Sequence, residues 1–127
     1  FRKLTVEENI LAILETCKLS SKERKKKLSN LLNDLGLIHL AKNKADTLSG
    51  GERRRLEVTR ALVTNPKMVL ADEPTANLDS VTGEEILKIM KKMNEEHQTT
   101  FIFSTHDSRI MKYARKIYNI SDGRIAK

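Results

Sequence analysis

The chain has 127 residues, 32% of them charged and 4% aromatic, with no Trp and a net charge of +7. That length holds one domain with a modest core, and the high charge with few aromatics favours a helix-rich protein over a β-sandwich. The longest apolar runs, 68–71 and 101–103, have the length of strands, so nothing spans a bilayer; no signal peptide is visible, and a membrane role is expected only through a partner.

A single cysteine, Cys17, excludes an internal disulfide, fits a reducing compartment and is expected to be a small packed hydrophobe. Much of the positive charge sits in Lys22-Glu23-Arg24-Lys25-Lys26-Lys27 and in Arg53-Arg54-Arg55. Such charge can meet nucleic acid, anionic lipid or nucleotide phosphate. The first cluster has no interleaved aromatics, which argues against a single-strand stacking surface. It reads as a solvated helix face, with a lipid-facing or partner-facing role as the alternative.

Thr5-Val6-Glu7-Glu8 is a capping box, and Val6, Ile10, Ile13 and Leu14 predict a helix to about Cys17. Ser20 or Ser21 caps a second helix with Leu28, Leu31, Leu32 and Leu35 on one face, ended by Gly36. Residues 37–41 read as a short helical piece and 42–47 as a polar loop. Ser49-Gly50-Gly51-Glu52 is another capping box, opening a helix to about Thr64 that Asn65-Pro66 stops. Residues 67–72 form a strand whose nearly continuous apolar run is expected when both faces are covered. A helix at 80–97, a second buried strand at 99–104, a short helix at 107–114 and a third strand at 116–120 follow. Ser121-Asp122-Gly123-Arg124 then turns into a last short strand. The alternation implies an α/β fold of mainly parallel strands joined by right-handed crossovers. The division falls at residue 65, with 1–65 helical and 66–127 mixed.

Two stretches carry chemistry. At Leu48-Ser49-Gly50-Gly51-Glu52 a helix N-terminus offers free amides and a partial positive charge to a phosphate. The glycines permit close approach and Ser49 adds a hydroxyl. At Met68-Val69-Leu70-Ala71-Asp72-Glu73 a strand delivers two adjacent carboxylates to its carboxyl end. There Asp72 is expected to orient Mg²⁺ through its water shell and Glu73 to polarise an attacking water. His106, after the next strand, can hydrogen-bond a γ-phosphate or that water. His39 and His97 have no such context.

These motifs, in this order and spacing, resemble the ATP-binding cassette (ABC) transporter ATPases, whose signature reads LSGGQ and whose Walker B motif is four apolar residues followed by Asp-Glu. Here Glu52 stands where the family usually has Gln. Ala76-Asn77-Leu78-Asp79 resembles the D-loop, in which Asp79 both caps the next helix and lies at the dimer interface. Ser104-Thr105-His106-Asp107 resembles the switch-histidine segment. Residues 70–80 and 122–125 are similar to the lipoprotein-release and macrolide-export branch, while 1–10 are reminiscent of the lipopolysaccharide-export ATPase.

The resemblance implies a P-loop NTPase-type fold, a helical signature subdomain (1–65) and the Walker B, D-loop and H-loop part of the ATPase core (66–127). It implies ATP and Mg²⁺ bound between two subunits arranged head to tail. Leu48, Ser49, Gly50, Gly51, Glu52, Asp79 and His106 would bind ATP, Asp72 the metal, and Glu73 and His106 would act in hydrolysis. The partners implied are a second ATPase subunit and a transmembrane permease, with no nucleic acid, at the cytoplasmic face of the cell membrane. The phosphate-binding loop G-x-x-x-x-G-K-S/T is absent from these residues. A fragment is therefore expected, with that loop upstream, weak ATP binding on its own, and a gap beside strand 99–104. The alternatives are a non-hydrolytic basic docking module and a soluble ABC ATPase acting on nucleic acid.

Overall fold

The computed structural model describes residues 1–126. Helix α1 spans Val6–Leu14 and α2 spans Ser21–Asp34, each opened by a complete capping box, Thr5 with Glu8 and Ser20 with Glu23. The first helix is shorter than its apolar stripe predicts. The Thr16 hydroxyl donates to the Ile13 carbonyl at 2.7 Å, and the amides of Thr16 and Cys17 reach back only three residues, so the chain tightens out of the helix. Cys17 therefore lies just past α1 and is half-buried rather than packed away. Gly36, at φ +64°, ends α2 with the paired bonds Leu37 N–H to Leu32 O (2.7 Å) and Gly36 N–H to Asn33 O (3.1 Å). Residues 42–47 are not wholly irregular, for Ala45–Thr47 forms a single 3₁₀ turn.

Helix α3 spans Gly50–Leu62, followed by strand β1 (Met68–Asp72), helix α4 (Ser80–His97) and strand β2 (Thr100–Ser104). The two strands pair in parallel, Met68 opposite Thr100 and Asp72 opposite Ser104, with α4 as the crossover. Helices α1 to α4 supply one continuous core that includes Val6, Ile10, Leu56, Val63, Ile86 and Met90, and Val69, Phe101 and Phe103 pack against it.

The expectation that both strand faces are covered fails. Residues alternate along each strand, and only the face bearing Val69, Ala71, Phe101 and Phe103 meets the helices. Leu70 is 74% exposed and Met68 54% exposed on the other face. Its apolar run is long enough for two covered faces, but the helices all lie on one.

Helix α5 is only Ser108–Met111, shorter than predicted, because the amides of Tyr113 and Ala114 bond three residues back in tighter turns. The expected third strand at 116–120 shrinks to β3 (Ile120–Ser121), which pairs antiparallel with β4 (Arg124–Ile125) and not with β1 or β2. Asp122 and Gly123 both have positive φ, +50° and +74°. This closes a two-residue hairpin that removes Ser121 and Arg124 from the predicted turn.

Candidate functional site

The site grows from the carboxyl ends of β1 and β2. Glu73 leaves the ladder with its amide donating to Ser104 O at 2.9 Å and its own φ at +42°. Its carboxylate faces the segment following β2. Oε2 accepts from the Thr105 hydroxyl at 3.0 Å, and Oε1 accepts from the His106 amide at 3.2 Å and from His106 Nδ1 at 2.7 Å. Desolvation works to raise the Glu73 pKa, but these donors outweigh it and hold the group below its ordinary value. An ionised carboxylate only accepts, so Nδ1 of His106 carries the hydrogen and Nε2 is the free nitrogen. The imidazole is 92% exposed.

A second tie lies behind the first. The Asp107 amide donates to Thr105 Oγ1 at 3.0 Å, and the Asp107 carboxylate accepts from Thr75 Oγ1 at 2.9 Å and from Arg109 Nε at 2.9 Å. The Arg109 guanidinium, foremost among these donors, holds the Asp107 carboxyl far below the usual carboxylate range. From α3, Arg54 donates to Glu73 O at 2.8 Å and Pro74 O at 2.7 Å, while Arg55 pairs with Glu85 of α4. Thr105, Asp107 and Arg54 were not singled out from sequence. Thr105 and Asp107 flank His106 and could have been suspected, whereas Arg54 read only as part of a basic run.

Asp72 is exposed at the end of β1, where its backbone is in register with Ser104, and its carboxylate takes no hydrogen bond or ion pair among the described residues. There too, no three His, Cys, Asp or Glu side chains converge on a metal position.

The other group gathers at the N-termini of α3 and α4. Ser49 caps α3: its hydroxyl accepts from Glu52 N at 3.3 Å, and its amide donates to Glu52 Oε2 at 2.8 Å. That amide, foremost, and the hydroxyl hold the Glu52 carboxyl below its ordinary value. Leu48 is buried in the core, whereas Ser49 and Gly50 are exposed. A Cβ on Gly51 would come within 2.3 Å of Thr82 Cγ2, so this glycine lets α4 approach α3. Asp79 caps α4, accepting from Val81 N and Thr82 N at 3.0 Å and from Thr82 Oγ1 at 2.6 Å. The folding therefore joins Glu73 with His106, and Gly51 with the helix that Asp79 caps. Among the described residues no hydrogen bond runs directly from Glu73 or His106 to Ser49, Gly51 or Asp79; the two groups are tied through Arg54 of α3, which donates to Glu73 O.

A parallel strand pair thus delivers an acidic pair and a histidine to adjacent carboxyl ends, the edge at which open α/β sheets bind their ligands, beside a glycine-opened helix. The sequence model described as ABC transporter matches residues 1–76, and the chain belongs to that family. It is 42% identical over 124 residues to the lipoprotein-releasing system ATP-binding protein LolD of Francisella tularensis subsp. tularensis (strain FSC 198), covering 97% of this chain and 54% of that protein. It is 41% identical over 105 residues to the macrolide export ATP-binding/permease protein MacB of Syntrophobacter fumaroxidans, covering 83% of this chain and 15% of that one. Its fold matches the dimeric post-hydrolysis ATP-binding cassette MJ0796 bound to ADP and Pi, with TM-score 0.82 and 35% identity over all of this chain and 56% of that one. CbiO1 of Clostridium perfringens, part of the transporter complex cbiONQ, matches with TM-score 0.92 and 31% identity over all of this chain and 51% of its own. The chain thus spans about half the length of the LolD relatives it matches.

Proposed function

We propose that this chain is the signature-bearing half of an ATP-hydrolysing subunit of an ABC transporter. Residues 1–65 serve as its helical signature subdomain and 66–127 as the Walker B, D-loop and H-loop part of its core. The observation that carries the reading is the Glu73, Thr105 and His106 constellation across the ends of two adjacent parallel strands. Glu73 is ionised at neutral pH and keeps acceptor capacity on Oε2, which can receive a hydrogen bond from a water. As that water attacks the γ-phosphorus and the bond to the bridging oxygen of ADP breaks, Glu73 accepts the departing proton. With Nδ1 held by Glu73, the exposed His106 ring has Nε2 left to hydrogen-bond the water or the γ-phosphate region of the nucleotide.

The free carboxylate of Asp72 suits Mg²⁺, which binds proteins through one or two carboxylates and otherwise through water and substrate phosphates. When bound, the ion supplies charge neutralisation on those phosphates. Ser49 and Gly50, exposed at the start of α3, would meet the nucleotide held by a second subunit, with Leu48 anchoring the turn from the core. Gly51 and Asp79 set the approach of α4 beneath them, and Glu52 closes the cap. The dimeric MJ0796 bound to ADP and Pi, to which the chain is similar, supports pairing with a second subunit around nucleotide. LolD and MacB, named for lipoprotein release and for macrolide export with a permease, support coupling to a membrane permease.

Titration calorimetry tests the reading. The full-length protein should bind Mg-ATP and the Asp72→Asn variant should bind it more weakly, while residues 1–127 alone should give no binding heat. Tight Mg-ATP binding by residues 1–127 alone would contradict it.

A further inference from the structure

Glu73 is anchored at its side chain by Thr105 and His106, but its backbone is anchored from a different element. Arg54 of α3 is half-buried, and its fork makes three charge-assisted bonds: Nη2 to Glu73 O (2.8 Å), Nε to Pro74 O (2.7 Å) and Nη1 to the Glu57 carboxylate (2.8 Å). Glu57, one turn along the same helix, orients the fork. Glu73 holds a left-handed backbone conformation that a side-chain-bearing residue adopts only under constraint. Pro74 has no amide to contribute, and the Pro74 carbonyl has no other donor among the described residues. The Glu73 carbonyl is shared between Arg54 and the Ala76 amide.

We propose that Arg54 is a positioning residue for Glu73: it clamps the two carbonyls of the Glu73-Pro74 turn and so fixes the direction in which the Glu73 carboxylate leaves the backbone. Because Arg54 rides on the helix that Ser49 caps, it also makes the position of the signature helix a determinant of the aim of Glu73. This rests on the proposed role of Glu73 in ATP hydrolysis. The guanidinium geometry is specific to the task. A lysine ammonium or a glutamine amide carries its donors on a single nitrogen, whereas the planar fork presents a separate nitrogen to each of the two carbonyls.

The test is steady-state ATP hydrolysis by the full-length protein and its Arg54→Lys, Arg54→Gln and Arg54→Ala variants, each corrected for the folded fraction, with Glu73→Gln in parallel. Misaiming a catalytic group lowers turnover by about ten- to a hundredfold without weakening substrate binding. All three Arg54 variants should therefore lose kcat on that scale with KM for Mg-ATP within about twofold. If Arg54→Ala does not fold, Arg54→Lys, which keeps the charge and the stem, decides alone. Unchanged kcat per folded molecule with a lowered Tm would overturn the proposal by assigning Arg54 a purely structural part. An Arg54→Lys variant equal to wild type would overturn the two-carbonyl clamp. If Glu73→Gln still hydrolyses ATP, the function reading itself falls, whatever the Arg54 variants do.

Discussion

The neighbours of Glu73 hold its carboxyl below the ordinary value. The His106 ring, the Thr105 hydroxyl and the His106 amide outweigh desolvation and depress its pKa. Its hydrogen bonds therefore contribute stability above the ordinary carboxylate pKa, and that contribution is lost as pH falls through the depressed folded value. The same sign holds for Asp107, which Arg109 and Thr75 stabilise as an anion. Thr105→Val deletes a donor to Glu73 and should move its pKa up, shifting the acidic limb of kcat in the full-length protein to higher pH. A pH–rate profile checks this, and an unmoved limb would assign the Thr105 bond no electrostatic weight. The strand-end placement of Asp72, Glu73 and His106 was legible because the apolar runs before them mark where each strand stops. Arg54 was not legible, because nothing in the run Arg53-Arg54-Arg55 says which guanidinium turns toward a carbonyl about twenty residues away.

Between elements, the contact that matters is the meeting of α3 and α4. Gly51 is bare because Thr82 Cγ2 occupies the space a Cβ would need, and Thr82 is itself held by Asp79, the cap of α4. Gly51→Ala should therefore destabilise the protein by about 1–3 kcal/mol, the cost of overpacking a close contact. Thr82→Ser removes the offending methyl but keeps the hydroxyl, so the double variant should recover most of the loss. Denaturant unfolding of the single and double variants measures it; a neutral Gly51→Ala, or no recovery with Thr82→Ser, would refute the packing role. Caps and stops at Thr5, Ser20, Gly36, Ser49 and Asp79 were readable because each satisfies backbone groups within a few residues. Helix ends were less so: the Thr16 hydroxyl competing for the Ile13 carbonyl shortens α1, and three-residue turns shorten α5.

Over the whole molecule, four helices and one face of a two-stranded parallel sheet share a single core, and the catalytic candidates line the carboxyl edge of that sheet. The α/β class was legible from the alternation of strand and helix. The coverage of the sheet was not, because an apolar strand reads the same whether one face or two are packed, and Leu70 and Met68 lie on the open face. Nor was the hairpin of β3 and β4, which two consecutive positive-φ residues turn away from the main sheet. What this architecture achieves is to bring Glu73 from one strand against Thr105 and His106 from the next. Single-turnover hydrolysis of Mg-ATP by the full-length protein and its Glu73→Gln variant tests that claim most directly. Binding should survive and hydrolysis should fall by at least about a hundredfold, the scale of a lost general base; a variant that hydrolyses ATP within about twofold of wild type would contradict the account.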